Sequence, residues 1–124
     1  MDNDLQVNRA QVLTRYLDAT KTKPKAVMLV VSQETGNWRL WIVPEDESIN
    51  KQEFYRIVAE TISKNEIADI DVGSVELAKS DNPAMQGMGM MMRVDGIGSI
   101  QVSNNTYDGI LLPDGVVIRM NLKE

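Results

Sequence analysis

The chain has 124 residues, a formal net charge of -5 at pH 7, and neither histidine nor cysteine. Its length suits a single domain covering residues 1–124, and the missing residue types exclude Ser-His-Asp and Cys-His catalysis, imidazole or thiolate metal ligands, and disulfides. The acidic charge argues against nucleic acid as a partner, because phosphate binding needs clustered Lys and Arg.

The first half of the chain predicts a helix followed by a β-hairpin. Residues 5–19 place apolar side chains at helical spacing. Residues 26–31 form a β-branched apolar run that is typical of a central strand, and residues 38–43 return after a glycine-containing turn. Because side chains alternate along a strand, Trp38 and Trp41 are predicted to lie on opposite faces of the sheet.

A second helix, over about residues 50–64, has the clearest starting signal in the chain. Asn50 is a favourable N-cap residue, and Glu53 follows it at the spacing of a capping box. Ile49 and Phe54 occupy the two positions of a hydrophobic staple. These signals agree with the apolar periodicity that follows them.

The second half of the chain predicts strands. The predicted segments are Ile70–Leu77, Gly87–Val94, Ile97–Val102 and a last segment in which Ile110–Leu112 and Val116–Leu122 flank a turn at residues 113–115. Asp95-Gly96 is predicted to form a two-residue hairpin turn, whereas Asn104–Gly109 is predicted to be a loop.

The resulting order, α-β-β-α-β-β-β-β, predicts an α+β fold in one domain, with a mainly antiparallel sheet and helices on one face. This order resembles that of profilin-like and roadblock-type domains, in which a hairpin, a helix and a meander build one sheet. The resemblance covers element order and no motif, so it implies an architecture and assigns no residue a role.

The segment Met85–Met92 contains five of the eight methionines. As a strand it would direct Met88, Met90, Met92 and Val94 to one face, and Gly87, Gly89, Met91 and Arg93 to the other. The favoured interpretation is a row of core methionines, with glycines that let a second backbone approach closely. Two alternatives are an adaptable binding surface and a thioether site for Cu(I).

Other chemistry-bearing patterns are weaker. Asp69 with Asp71, and Glu45 with Glu47, would share a strand face and could bind a divalent cation or divide acid and base roles. Solvated ends of elements are the favoured interpretation of both pairs. The segment Gly96-Ile97-Gly98 lacks the third glycine of a dinucleotide fingerprint. We therefore expect no catalytic residue, no metal and no cofactor.

Charge and hydropathy also bear on location. Residues 1–31 contain five Lys or Arg and three Asp, a net charge of +2, which leaves -7 for the remainder of a chain whose total is -5. The N-terminal residues lack the apolar stretch of a secretory signal, and the longest apolar run, Ala26–Val31, is too short to span a bilayer. These features predict a cytoplasmic protein that does not bind membranes.

The favoured functional hypothesis is a non-catalytic protein-interaction or accessory module that forms a homodimer. Its expected interaction surface consists of Trp41, Met88, Met90, Met91, Met92, Arg93 and Tyr107. One alternative is a small-molecule pocket between helix and sheet, with Arg39, Arg93 and Tyr107 as candidate polar groups. Another is an acidic inhibitor or immunity-type protein that covers a basic partner. A sheet curled into a partial barrel would instead bury the methionines.

Overall fold

The structure is a computed structural model that describes residues 4–32 and 34–122. Within these residues, the α-helices are α1 (Asp4–Leu17), α2 (Lys51–Lys64) and α3 (Pro83–Met91). The strands are β1 (Pro24–Val31), β2 (Trp38–Pro44), β3 (Val75–Leu77), β4 (Ile100–Val102), β5 (Thr106–Tyr107), β6 (Ile110–Leu111) and β7 (Gly115–Met120). The predicted α+β class is confirmed.

Five of these strands form one sheet in the order β3-β2-β1-β7-β4. The predicted hairpin of β1 and β2 is antiparallel, with Leu29 opposite Leu40. Strand β7 pairs with β1 on its other side, so β1 is central, as its apolar sequence predicts. Only β3 runs parallel to its neighbour, with Val75 opposite Leu40 of β2.

The two faces of the sheet support separate apolar cores. Along β1, Val27 and Leu29 belong to a first core, whereas Ala26 and Met28 belong to a second core on the opposite face. Helices α1 and α2, the two that the sequence predicts, both pack on the first core. Trp38 packs against the first core and Trp41 against the second, which confirms their predicted separation.

Helix α2 begins as predicted. The Asn50 side chain accepts hydrogen bonds from the backbone N–H groups of Gln52 (2.7 Å) and Glu53 (3.3 Å), which satisfies two donors that have no partner within the helix. Ile49 and Phe54 pack in the first core, as expected of a staple. Local sequence signals and tertiary packing therefore agree at this helix.

The predicted strand over Gly87–Val94 is wrong, because most of this segment lies in α3. The side chain of Asn82 caps α3 by accepting hydrogen bonds from the N–H groups of Ala84 (2.9 Å) and Met85 (3.4 Å). Pro83 occupies the first turn, where its missing N–H costs no helical hydrogen bond. Methionine is also a good helix former, which offsets the low propensity of the two glycines.

Helix α3 covers the second face of the sheet. Its Met85 and Met88 join the second core, together with Met28 and Met120 from the sheet. The predicted helices do lie on one face, but this third helix lies on the other. The second face of the sheet therefore has a layer of its own.

The predicted turn at Asp95-Gly96 is also wrong. Val94 and Met120 exchange backbone hydrogen bonds of 2.8 and 2.9 Å, and the Gly98 N–H bonds to the Ile118 carbonyl at 2.8 Å. The chain from Val94 to β4 therefore follows the edge of β7 without reversing. A hairpin forms instead at Asp108-Gly109, inside the predicted loop, where β5 turns into β6 with positive φ at both turn residues.

The remaining predicted strands are present but shorter. Ile70–Leu77 contains a 3-10 turn at Val72–Ser74 followed by β3, and Ile97–Val102 contributes β4. Strand β7 matches the predicted final strand closely. Short outer strands leave little unpaired backbone at the edges of the sheet, which disfavours uncontrolled strand addition.

Candidate interaction surface

Helix α3 and the β5–β6 hairpin pack together as one layer over the second core. A Cβ atom at Gly87 would lie 2.8 Å from Leu112 Cδ2 and 3.2 Å from Tyr107 Cβ. A Cβ at Gly89 would lie 3.3 Å from Leu122 Cβ. The glycines lie on a helix, and they let side chains of Tyr107, Leu112 and Leu122 approach α3 closely, where the sequence predicts the approach of a helix or a second backbone.

The inner side of this layer buries two of the clustered methionines. Met85 and Met88 are 1% and 0% exposed, and Met92 is partly buried against the same second core. The core interpretation is thus correct for Met85 and Met88. Met88 does not belong to an exposed surface of this chain, contrary to its place in the predicted interaction surface.

Large apolar side chains of this layer are exposed. They are Met90, Met91, Tyr107, Ile110 and Leu111, which together we call the Met90–Leu111 surface. Tyr107 and Ile110 are opposite one another in the hairpin, and Leu111, opposite Thr106, projects from the other side of it. Leu111 is 73% exposed and Met90 is 51% exposed.

Helix α3 and the two strands of the hairpin carry no charged side chain, and Asp108 is confined to the hairpin turn. Helix α3 consists of Pro, Ala, Met, Gln and Gly, and neither β5 nor β6 contains a charged residue. A surface helix usually has charged residues on its solvent side. Beside Met90 lies an open groove of about 450 Å³, whose lining residues are Ser80, Gln86, Gly89, Met90, Tyr107 and Leu122.

The other predicted surface residues have separate environments. Trp41 is partly buried against the second core. Arg93 is exposed, and its Nε lies 2.7 Å from Asp95 Oδ1. Arg39, predicted as a polar group for a pocket, instead has its Nε 2.9 Å from Glu76 Oε1 on β3. Arg39, Arg93 and Tyr107 are thus engaged in different contacts and do not define a binding site together.

A polar cluster lies next to the groove. Glu47 Oε2 is 2.7 Å from Lys25 Nζ and accepts a 2.6 Å hydrogen bond from the Ser80 hydroxyl, while Glu47 Oε1 accepts from the Ser80 N–H at 2.8 Å. Burial by itself raises the pKa of Glu47, but the hydrogen bonds from Lys25 and Ser80 outweigh it and lower the pKa to about 2. This carboxylate was predicted as a solvated group, yet it fixes Ser80.

This cluster is poorly suited to catalysis. A general base works best with a pKa near the operating pH, and a carboxylate with a pKa of about 2 has little tendency to take the proton of Ser80. The contacts of Glu47 instead indicate a structural role, because its carboxylate links β1, the segment after β2 and the segment before α3.

Three acidic residues of the two candidate pairs, Glu45, Glu47 and Asp69, have separate cationic neighbours. Glu45 lies 3.8 Å from Lys23, and Asp69 lies 3.6 Å from Arg9. Across the described residues, carboxylates do not gather in threes that could hold a metal ion. Among the same described residues, no helix is both long enough and apolar enough to cross a membrane.

We expect the contribution of Glu47 to stability to depend on pH. Because the folded-state pKa is lowered, the contribution is complete above the unfolded value near 4.5 and is lost as the pH falls toward about 2. Glu47→Gln should lower the free energy of unfolding by about 1 kcal/mol at pH 7, and the difference should shrink between pH 4.5 and 2. Urea unfolding at several pH values measures it.

Glu45→Gln is the matched control, since this more exposed carboxylate has only a longer surface contact with Lys23. Its effect should be small at every pH. A loss on Glu47→Gln that is the same at pH 7 and pH 2.5 would contradict the assignment.

A second groove, of about 680 Å³, lies between the end of α1 and helix α2. Its basic lining residues include Lys21 and Arg56, and both side chains are well exposed. Thr61, which also lines it, directs its hydroxyl to the Ile57 carbonyl of its own helix. This groove therefore offers a small molecule few fixed polar groups.

Sequence reasoning missed one buried ion pair. Arg119, on β7, donates to both carboxylate oxygens of Asp18 at 2.6 and 3.0 Å, and it also donates to the backbone carbonyls of Gly96 and Pro24, each at 3.0 Å. An arginine within the apolar run of β7 is the signal that could have identified it, because an interior charge requires a partner.

Comparison of the chain with protein-family models, with curated proteins and with solved structures finds no match. The resemblance to profilin-like and roadblock-type domains therefore remains one of predicted element order. The functional argument depends on the surface chemistry of this chain.

Proposed function

We propose that this chain is a non-catalytic protein-interaction module that forms a homodimer through the Met90–Leu111 surface. The observation that carries the proposal is an exposed helix-and-hairpin layer that presents five large apolar side chains, with no charged residue in α3, β5 or β6 and with Asp108 in the hairpin turn. Interface centres are depleted in charged residues and enriched in Met and Tyr. Single exposed apolar residues are ordinary, but an uncharged group of them on two adjoining elements favours a contact.

A second copy of the chain is the occupant that best fits this surface. Leu111 projects from the hairpin, and the groove beside Met90 and Tyr107 lies against the same layer. In a two-fold arrangement, Leu111 of each copy would enter the groove of the other copy. The same region of the chain would then supply both the inserted side chain and the groove that accepts it. An acidic inhibitor would instead be expected to contact its basic partner through charged residues, which these elements lack.

Sedimentation equilibrium on wild type and Leu111→Asp, at micromolar concentrations, tests the proposal. Burying a leucine side chain contributes at least about 1.5 kcal/mol, and a two-fold interface loses this contribution twice. The dimer of Leu111→Asp should therefore dissociate about 100-fold more readily than that of wild type.

Leu5→Asp is the matched control, because Leu5 is 45% exposed on α1, which packs on the opposite face of the sheet. This variant makes the same change of charge and should dimerise like wild type. A wild-type protein that is monomeric throughout would refute the homodimer. Equal dissociation by Leu5→Asp and Leu111→Asp would refute the assigned surface.

A further inference from the structure

We propose that Met90 and Met91 are sites of reversible oxidation that controls assembly, with hydrogen peroxide or a related peroxide as the oxidant. The inference rests on the proposed homodimer and adds a means of regulating it. Its basis is the contrast in exposure among neighbouring methionines of one helix.

Exposure divides the methionines of α3 into two groups. Met90 and Met91 are 51% and 43% exposed, whereas Met85 and Met88 are at most 1% exposed. On the sheet, Met28 and Met120 are buried as well. A dissolved peroxide therefore reaches Met90 and Met91 while the core methionines under α3 are shielded, so oxidation can alter the surface and leave the fold intact.

The reaction needs no group other than the thioether and the peroxide. The lone pair of the methionine Sδ attacks one peroxide oxygen, the O–O bond breaks as the S–O bond forms, and the proton on the attacked oxygen passes to the departing oxygen. That oxygen leaves as water from hydrogen peroxide, or as an alcohol from an alkyl hydroperoxide. The sulfur is oxidised by two electrons, and the peroxide is reduced by two. The product is methionine sulfoxide, which methionine sulfoxide reductases convert back to the thioether, with a separate enzyme for each epimer.

Oxidation at these positions changes the property on which the contact depends. The sulfoxide is polar and accepts hydrogen bonds, so burying it against an apolar neighbour leaves an acceptor without a donor. Met90 also lines the groove that receives Leu111 in the proposed dimer. No charged residue of α3 is available to pair with the new dipole. Oxidised protein should accordingly dimerise less well.

Assembly and oxidation are also coupled in the opposite direction. A methionine buried between two copies is less accessible to peroxide than the same methionine in a free copy. Dimerisation should therefore slow the oxidation of Met90. Linkage requires the converse as well: the reduced protein must dimerise more readily than the oxidised protein. The rate of oxidation at Met90 should fall as the protein concentration rises, whereas the slow rate at Met85 should not change.

Mass spectrometry on the intact protein treated with hydrogen peroxide tests the chemistry. The tryptic peptide of residues 80–93 contains all five clustered methionines, so fragmentation of this one peptide compares them directly. We expect Met90 and Met91 to oxidise at least about 10-fold faster than Met85 and Met88. Equal rates at the four positions would overturn the proposal.

Sedimentation equilibrium then tests the effect on assembly. Oxidation should weaken the dimer by about 10-fold or more, and treatment with both classes of methionine sulfoxide reductase should restore it. In the double variant Met90→Leu/Met91→Leu, the affinity measured before treatment is the reference, and peroxide should leave that affinity unchanged.

The outcomes separate this proposal from the homodimer itself. An untreated protein that never dimerises contradicts the proposed function, and with it the regulation. An untreated dimer that is unaffected by sulfoxides at Met90 and Met91 contradicts the regulation alone. Loss of the dimer in the peroxide-treated double variant would assign the sensitivity to other residues and would also overturn the proposal.

Discussion

Gly115→Ala should lower the free energy of unfolding by about 4 kcal/mol or more, which is a large part of the stability of an ordinary domain. Gly115 begins β7 and pairs with Val30 of β1 and with Val102 of β4. A Cβ atom there would lie 1.8 Å from the Leu29 carbonyl oxygen, which belongs to the backbone of the central strand. The φ angle of +155° is also unfavourable for a residue with a side chain. The new methyl group would therefore force β1 and β7 apart.

Two other glycines provide graded controls for this substitution. Gly109 has a φ of +79° with open space around it, so Gly109→Ala should cost about 1 kcal/mol from backbone strain alone. Gly96 has open space and no such φ, so Gly96→Ala should be nearly neutral. Urea unfolding followed by circular dichroism ranks the three variants. A Gly115→Ala protein as stable as Gly96→Ala would contradict the close approach of the two strands.

The comparison of two of the three Asp-Gly pairs, Asp95-Gly96 and Asp108-Gly109, shows what local sequence can predict in this chain. Both Asp95-Gly96 and Asp108-Gly109 match the two-residue hairpin signal, but only the second forms a hairpin. At the first, Val94 and Gly98 both bond to β7, so pairing with a distant strand prevents a reversal. An Asp-Gly pair favours a turn locally, but a hairpin forms there only when the segment does not pair with a strand that is distant in sequence.

The methionine segment was misassigned for a different reason. Alternation of Met and Gly suits a strand, but Asn82-Pro83 is an N-cap followed by a proline in the first turn, which is a helix start that could be recognised from sequence. The period of 3.6 residues changes the chemistry as well as the geometry. It places Met85 and Met88 on the buried side and Met90 on the exposed side, whereas a strand would give Met88 and Met90 the same face.

The candidate surface was therefore only partly predictable. Composition indicates that methionines and an aromatic residue are available for a contact, and Met90, Met91 and Tyr107 are exposed as a contact requires. Ile110 and Leu111 were not anticipated, because an apolar strand close to the C-terminus suggests a buried element. Their exposure follows from the hairpin lying outside the main sheet, against α3.

Asp18→Ala should lower the free energy of unfolding by about 3 kcal/mol, because it leaves a buried guanidinium without its counterion. The Arg119 side chain is only 10% exposed, and its planar group meets Asp18 through two hydrogen bonds. The apolar sequence around Arg119 indicates that this side chain needs a partner, but it does not identify Asp18, which is 101 residues away. The contact joins the chain just after α1 to β7, and so connects the first and last parts of the fold.

Variants with different chemistry at the pair separate charge from geometry. Asp18→Asn keeps one acceptor and should lose about half as much stability as Asp18→Ala. Asp18 is 31% exposed, so its carboxylate can regain water in Arg119→Met. The double variant Asp18→Ala/Arg119→Met removes both charges together. It should therefore be clearly more stable than the sum of the two single losses predicts. Wild type, Asp18→Ala, Arg119→Met and the double variant form a double-mutant cycle, and urea unfolding of these four proteins measures the coupling energy. Arg15→Ala, at an exposed position, is the control for loss of a surface charge. Additive losses at Asp18 and Arg119 would show that the two side chains do not stabilise the fold through each other.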